Sequence, residues 1–426
     1  MKRVVILCVW LFSVVAGHAQ LSLDECRRLA RENYPEIRQY DLVHQTEQYN
    51  LSNAARAWIP QLAFSAQATW QTDAPNFPKE LTGMLAQQGL EIPGLRKDQY
   101  KVALELNQTI WDGGKSVADK RIARAEATEQ KTMTDVDLYE LEGRVDDLYF
   151  GILFLDERIA QTNLTLNLLR SNLEKVRALQ RNGVAMQSDA DVLEAELLSV
   201  GQQLIQFESS CDSYRRMLGI FIGQKVGDRK LQRPSAVQPL SGESARPELA
   251  MFAAKIDRLT AQEKMVKSSS MPRLGFFAQG YYGYPGLDYM QGMMNSDWSW
   301  NAMLGVKLSW NFGAYYTQKN NLDKLRTSRQ QVEVQRDVFL FNMNLQAAQE
   351  NGDIARLRKA IADDDRIVAL RRSVREAAES KLRNGIIDTH DLLSKITDES
   401  TASMARSMRE IELLKAIYEY KHTINR

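Results

Sequence analysis

The feature that most constrains this chain is a long heptad repeat between residues 138 and 176. Its apolar residues are spaced alternately three and four apart, and only Thr162 interrupts the series: Leu138, Leu141, Val145, Leu148, Ile152, Leu155, Ile159, Leu166, Leu169, Leu173 and Val176. Because no proline lies between Gly113 and Gly183, the pattern predicts one helix of about 67 residues, roughly 100 Å long. Such a helix needs neighbouring helices, from this chain or from other copies, to cover its apolar face.

The first residues have the pattern of a secretory signal peptide. A basic start at residues 1–3 precedes an apolar run at residues 4–16, and the small residues Gly17 and Ala19 come before Gln20. The alternative, an uncleaved anchor helix, is disfavoured because the run is short. Acidic and basic residues are nearly equal in number, 54 and 55, which favours neither nucleic acid nor an acidic membrane surface as a partner.

Two segments in each half of the chain are predicted to be β-strands. Residues 62–70 and 102–110 alternate apolar and polar side chains, as do residues 298–310. Residues 272–276 repeat the start of the first strand. The proline- and glycine-containing segments 72–98 and 283–297 are predicted to be long loops.

The chain is predicted to be an internal duplication. Residues 34–37 and 60–64 recur at 246–249 and 272–276, the same distance along the chain. The predicted organisation is a signal peptide at 1–19, a first repeat at 20–218, a linker at 219–245 and a second repeat at 246–426. Each repeat runs helix, strand, loop, strand, long helix, turn and helix, and Ser188 or Asp189 is the expected N-cap of the helix ending near Leu218.

The tryptophans of the mature chain all lie in or beside the predicted strands: Trp58, Trp70, Trp111, Trp298, Trp300 and Trp310. Tryptophans at strand ends are typical of the aromatic girdles of outer-membrane barrels. The alternative is the core of a soluble β-sandwich. Four strands are too few to close a barrel, so further copies of the chain are the simplest partners for the sheet edges.

These features together resemble the TolC-like outer membrane efflux protein family. The resemblance rests on the signal peptide, the duplicated plan, the helix-to-strand junctions at Pro60 and Pro272, the sequence Trp111-Asp112-Gly113-Gly114 after the second strand, and two Asn-Gly turns. It implies a mostly α-helical chain with a membrane β-sheet. Three such chains would form a twelve-stranded outer-membrane β-barrel continuous with a twelve-helix periplasmic α-helical barrel.

The resemblance also implies a function and partners. The protein would be the exit duct of a tripartite efflux pump or a type I secretion system, exporting small molecules or proteins through a gated tunnel. It would lie in the outer membrane of a Gram-negative bacterium and extend into the periplasm. The implied partners are two further copies, a periplasmic membrane-fusion adaptor, an inner-membrane RND, ABC or MFS transporter, and outer-membrane lipid. Nucleic acid and cofactors are not implied.

Family site patterns can be carried over to particular residues. The adaptor-contact pattern, an arginine before a glycine flanked by apolar residues, matches Arg181, Gly183 and Val184 in the first repeat and Arg383, Gly385 and Ile386 in the second. The alternative is that each Asn-Gly is only a helix C-cap. For the periplasmic gate, Asp391 matches the first family aspartate, whereas Ser394, Ile387 and Leu382 replace the other gate residues. Asp388 and Asp398 are substitutes, although Asp388 is also the expected N-cap.

Other chemistries are weakly supported. The histidines His44, His390 and His422 lack the spacing of a metal site or catalytic triad. The run 112–116 lacks the first glycine of a phosphate loop. The methionines at 290, 293 and 294 fit soft-metal ligation or simple loop packing. The main rival is a periplasmic coiled-coil structural or adaptor protein that never enters the membrane; no enzyme activity is predicted.

Overall fold

The computed structural model describes residues 20–89, 91–237, 244–384 and 386–425. The predicted signal peptide, part of the predicted linker and Gly385 lie outside the described residues. The helices are α1 (Leu23–Asn33), α2 (Gln39–Arg56), α3 (Lys79–Gln87), α4 (Lys115–Arg181), α5 (Gln187–Ile222), α6 (Pro247–Ser269), α7 (Tyr289–Asn295), α8 (Ala314–Arg383) and α9 (Thr389–Ile424). The strands are β1 (Gln61–Trp70), β2 (Asp98–Trp111), β3 (Arg273–Tyr284) and β4 (Ser299–Ser309).

The long helix predicted from the heptad repeat is confirmed. Helix α4 has 67 residues, and its counterpart α8 in the second half has 70. The carboxylate of Asp112 accepts the backbone N–H groups of Gly114 at 2.9 Å and Ser116 at 2.7 Å. Asp112 therefore satisfies N–H groups at the start of α4, where a phosphate loop would need them for its ligand.

The strands form one antiparallel sheet in the order β1-β2-β3-β4. The register pairs Phe64 with Leu104, and the sheet continues through the pairs Leu104 with Gly280 and Gly280 with Ala302. The strand predictions are confirmed. Strands β1 and β4 form the edges, and each has a neighbour on one side only within this chain.

Both predicted long loops contain a short helix that the sequence analysis missed. In the first, α3 follows Pro78, whose carbonyl accepts the N–H of Leu81 at 3.0 Å. In the second, the Asp288 carboxylate accepts the N–H of Gln291 at 3.0 Å and so caps α7. The glycines and prolines near these segments indicated a loop in the sequence, but in the structure they flank short helices.

The capping prediction for α5 was wrong in its position. The helix starts at Gln187, and its N-cap is Met186 rather than Ser188 or Asp189. The Asp189 carboxylate reaches back to the N–H of Met186 at 2.8 Å, so it acts from the third helical position. The helix also continues four residues past Leu218, to Ile222.

The chain divides into two compact units. The first comprises Met1–Tyr40, Thr132–Met251 and Gln335–Arg426, and its described residues are mostly helical. The second comprises Asp41–Lys131 and Phe252–Val334 and contains the sheet. No helix among the described residues is both long enough and apolar enough to cross a bilayer.

The first unit has separate apolar clusters along α4. One cluster surrounds α4 residues 138–153 and includes Cys26 of α1 and the C-terminal part of α5. A second cluster surrounds α4 residues 166–176 and includes the N-terminal parts of α5 and α9. Cys26 and Cys211 are both free and buried, and burial raises the pKa of the Cys26 thiol to about 12.

Candidate functional site

The two faces of the sheet differ in chemistry. One face carries mainly apolar residues, and several are largely exposed to solvent: Leu62, Phe64, Val102, Leu104, Leu304, Val306 and Leu308. The opposite face carries Ser65, Gln67, Lys101, Glu105, Gln279, Asn301 and Lys307. An exposed apolar sheet face is unfavourable in water, because each apolar Å² left exposed forgoes about 25 cal/mol.

The six tryptophans lie at the two ends of this sheet. At the loop end, Trp70 closes β1 and Trp298 and Trp300 lie where β4 begins. Trp298 stacks on Tyr100 with ring centres 5.6 Å apart. At the helix end are Trp58, Trp111 and Trp310. All six tryptophan side chains are exposed, so none serves the core of a soluble sandwich within this chain.

The polar face carries a network that links neighbouring strands. The Lys101 ammonium donates to the Gln279 side-chain carbonyl at 3.0 Å and lies 4.6 Å from the centre of the Tyr281 ring. The Gln279 amide donates to the Glu105 carboxylate. These residues come from β2 and β3, so the network depends on their register, which the sequence did not reveal.

The loops after β1 and β3 are joined at Tyr284. Its hydroxyl accepts the N–H of Arg96 at 2.8 Å and donates to the carbonyl of Gly292 at 3.2 Å. In the same loop pair, the side-chain carbonyl of Asn301 accepts the N–H of Leu287 at 2.7 Å. Because Asn301 lies on the polar face, this contact holds the β3–β4 loop over that face.

The turn after α4 contains the residues of the first predicted adaptor contact. Gly183 has a φ of +75°, a conformation that residues with a Cβ rarely adopt. The N–H of Val184 bonds to the carbonyl of Leu179 at 2.9 Å, and the N–H of Gly183 to that of Gln180 at 2.9 Å. These two bonds form a Schellman cap. It leaves Arg181 and Val184 exposed.

The turn after α8 shares one of these two backbone bonds. The N–H of Ile386 bonds to the carbonyl of Lys381 at 3.0 Å, in the same six-residue relation as in the first turn. Val184 is 69% exposed and Ile386 is 68% exposed, and Arg383 is exposed as well. Each turn therefore presents an apolar side chain and an arginine to solvent.

The predicted gate residues lie on the first turn of α9. The Asp388 carboxylate accepts the N–H of Asp391 at 2.8 Å, which confirms that Asp388 is the N-cap. Both side chains are exposed. Asp398 forms an ion pair with Arg371 of α8 at 2.8 Å, so its charge is already paired within the chain.

A partly buried polar group missed by the sequence analysis lies where α9 ends. The rings of Tyr139 and His422 are parallel, with centres 4.2 Å apart. Arg246 pairs with Glu248 and donates to the carbonyl of His422 at 3.1 Å. Burial, together with the positive charge of Arg246, lowers the pKa of His422 to about 4. The residues are too far apart in sequence for any spacing signal to reveal them.

Comparisons with known proteins extend this description. Residues 27–223 match the family described as outer membrane efflux protein. No curated protein matches the chain in sequence. Among solved structures, the outer-membrane channel OprN has a TM-score of 0.69 at 14% identity, covering 94% of this chain and 89% of its own.

Two further structures are similar to this chain at the level of the fold. The outer membrane protein VceC from Vibrio cholerae has a TM-score of 0.67 at 14% identity, covering 94% of this chain and 95% of its own. The MtrE outer membrane channel of Neisseria gonorrhoeae, solved in an open state, has a TM-score of 0.64 at 14% identity, covering 94% of this chain and 88% of its own. The match to the outer membrane efflux protein family thus covers just under half of the chain, and the fold of these outer-membrane channels is shared over nearly all of it.

Proposed function

We propose that this protein is the outer-membrane exit duct of an efflux pump or a type I secretion system. The observation that carries the proposal is the exposed apolar face of the sheet, bordered at both ends by tryptophans. Lipid is the surrounding in which such a face is stable. The polar opposite face would then line a water-filled passage.

The spacing of the tryptophans supports a membrane location. Trp300 and Trp310 mark the two ends of β4, ten residues apart. At about 3.3 Å per residue and a strand tilt near 40°, this corresponds to a band roughly 25 Å high. An apolar band in an outer-membrane barrel has about that height. We therefore assign Trp58, Trp70, Trp111, Trp298, Trp300 and Trp310 to two interfacial girdles.

Assembly as a homotrimer would solve the edge problem of the sheet. All neighbouring strands are antiparallel, so β1 and β4 run in opposite directions. The β4 edge of one copy can therefore pair with the β1 edge of the next in the same antiparallel pattern. Three copies would give the twelve strands of the barrel that the family resemblance implies.

Helix α5 and the part of α8 in the first unit offer a second surface for assembly. Each carries an exposed apolar stripe, with Leu198 and Ile205 on α5 and Ile367, Leu370 and Val374 on α8. The charges are complementary, because α8 has fourteen basic and ten acidic residues whereas α5 has six acidic and two basic. Pairing of α8 with the α5 of another copy would cover both stripes.

The two helical turns are proposed to bind a periplasmic membrane-fusion adaptor. Val184 and Ile386 are equally exposed, and the N–H of each bonds to the carbonyl five residues before it. Small apolar side chains at the end of a helical hairpin can pack into the groove of another hairpin. Arg181 and Arg383 lie near them in sequence and would add charge contacts; Gly183 shapes the first turn, and Gly385 is its sequence counterpart in the second motif.

The gate is proposed to include Asp391 and Asp388. Both carboxylates lie at the exposed start of α9, Asp388 as the N-cap and Asp391 in the first turn, so three copies would bring six of them to the periplasmic end. Such a ring would repel anions and attract cations. The duct itself would be passive, and an inner-membrane RND, ABC or MFS transporter would supply the energy.

The rival function, a periplasmic structural or adaptor protein, is less well supported. An adaptor outside the membrane has no use for an exposed apolar face bordered by tryptophans. The coiled-coil helices alone would fit either function, so the sheet is the part of the chain that discriminates between them.

Electron microscopy and conductance measurements on detergent-extracted protein test this proposal together. We expect threefold particles and discrete ion conductance when the protein is added to a planar phospholipid bilayer. A water-soluble monomer without conductance would refute the duct and favour the adaptor-like alternative. Threefold particles without conductance would refute the proposed passage while leaving the assembly intact.

A further inference from the structure

The single break in the heptad repeat of α4 coincides with a cavity in the helical unit. Thr162 is only 1% exposed, and its hydroxyl has no hydrogen-bond partner within the part of the chain that the structure describes. Thr162 borders a cavity of about 390 Å³ between α4, α5 and α9. A leucine or isoleucine would be expected here from the surrounding pattern.

The apolar core is divided at this level. The cluster around α4 residues 138–153, here called the upper core, has Ile159 at its margin. The cluster around α4 residues 166–176, here called the lower core, begins with Leu166. On α5 the lower core ends at Val200, with Leu204 at its margin, and the upper core begins at Cys211. Two separately packed cores thus follow one another along the same helices.

The gap between these cores is lined by small and polar residues on all three helices. The Thr165 and Ser400 hydroxyls are hydrogen bonded at 2.6 Å. The Gln161 amide donates to the Ser407 hydroxyl at 3.3 Å. Glu196, Gln203, Thr397, Thr401, Met404 and Met408 also border the cavity. We call the polar residues bordering this cavity, together with Gln161 and Ser407, the polar layer.

The polar layer is less favourable than a continued apolar seam. A buried hydroxyl without a partner retains its desolvation cost, and the cavity, whose border includes the exposed residues Gln203 and Thr401, forgoes the packing contacts of a continuous core. Hydroxyl and amide groups can nevertheless exchange partners when neighbouring helices shift, which interlocked leucines cannot do without unpacking. The layer lies about 20 residues from the turn at Gly183, roughly 30 Å along the helix.

We propose that the polar layer is a hinge that lets the helix ends carrying the two turns move relative to the rest of the helical unit. The lower core would move as one body, because its own packing is continuous. This inference rests on the proposed function, since a gated duct must change shape at the end that carries Asp388 and Asp391. It assigns that motion to a particular level of the chain.

Hydrogen exchange on the purified protein in detergent tests the hinge without requiring a conducting pore. The test variant is Thr162→Val, which keeps the shape of the side chain and removes the unpaired hydroxyl. The matched control is Thr128→Val, on the same helix, where the hydroxyl is exposed and bonds to the carbonyl of Arg124 at 2.9 Å. In Thr162→Val we expect amide exchange in residues 166–200 to slow by about tenfold or more, because a buried polar group no longer favours opening.

Two further measurements separate the hinge from the duct. Thr162→Ser keeps the hydroxyl and enlarges the cavity, so exchange at residues 166–200 should be as fast as in the wild type or faster. In planar bilayers, Thr162→Val should spend less time in its largest conductance state than Thr128→Val. Equal exchange in the Thr162→Val and Thr128→Val variants would overturn the hinge, even if both conduct. Slower exchange in Thr162→Val without any conductance would uphold the hinge and refute the duct.

Discussion

Leu304 and Met303 are adjacent residues of β4 whose side chains point to opposite faces of the sheet. Leu304 lies on the apolar face, opposite Ala278, and Met303 lies on the polar face, opposite Gln279. Both are exposed and close to the centre of the strand. Replacing each in turn by arginine places the same charge at the same height on the proposed lipid side or on the proposed passage side.

The expected energies of the two variants differ widely. An arginine facing lipid at the bilayer midplane costs about 2–4 kcal/mol per chain. An arginine at position 303 would face water, near Lys101 and Glu105 on the same face, and should change the stability by no more than about 0.5 kcal/mol. In a trimer the first cost would be incurred three times.

The assay is equilibrium unfolding by urea after refolding into phosphatidylcholine vesicles, followed by tryptophan fluorescence. The tryptophans at both ends of the sheet make this signal sensitive to insertion. We expect Leu304→Arg to lose about 2–4 kcal/mol per chain, or to fail to insert, while Met303→Arg inserts like the wild type. A larger loss in Met303→Arg would invert the assigned faces, and equal losses would mean that neither face contacts lipid.

Three further predictions concern the helical unit. Leu370→Ala should weaken the association of copies by about 1–2 kcal/mol per interface, measured as the trimer fraction at increasing dilution in detergent. The control Leu164→Ala should not weaken it, although the two side chains are similarly exposed, 62% for Leu164 and 60% for Leu370. Gly183→Ala should lower the free energy of unfolding by about 1–2 kcal/mol, because the φ of Gly183 is positive. Gly352→Ala, in the middle of α8 with open space around the added Cβ, should raise it by up to about 1 kcal/mol. Thermal unfolding measures both. Stability should fall as the pH drops from about 6.5 to about 4, because the pKa of His422 is depressed in the folded protein and protonation therefore favours the unfolded chain. For this partly exposed group the loss of stability is on the order of 2 kcal/mol. His422→Phe should abolish this loss in pH-dependent melting curves.

Each of these comparisons has an outcome that contradicts its reasoning. Equal weakening by the Leu370 and Leu164 variants would remove α8 from the assembly surface. Stabilisation by Gly183→Ala would contradict the strain assigned to the turn. An undiminished pH dependence in His422→Phe would mean that other groups cause the acid sensitivity.

Local periodicity predicted most of the fold. The alternation in β1 and β4 and the three-four spacing in α4 each follow from the faces these elements bury or expose, and such faces recur within a few residues. The short helices α3 and α7 escaped because they span only nine and seven residues, too few to establish a helical period against the glycines and prolines nearby.

The sites were predictable only where they depend on local backbone chemistry. The Asn-Gly signal placed the turn at Gly183, and the N-cap rule placed Asp388 correctly. The pairing of Lys101 with Gln279, and that of Arg371 with Asp398, depends on strand register and on the packing of one helix against another. These relations join residues distant in sequence, so neither composition nor spacing contains them.

Thr162 shows how a local irregularity acquires meaning from its neighbours. In the sequence it is one polar residue in a series of eleven apolar ones, and a single exception is compatible with chance. In the fold, α5 and α9 place Gln203 and Ser400 at the same level, and the apolar core divides there. Three helices that lose their apolar contacts together weaken one cross-section of the unit, whereas three scattered substitutions would weaken none. A change of shape at the turns after α4 and α8 is therefore expected to begin at this level.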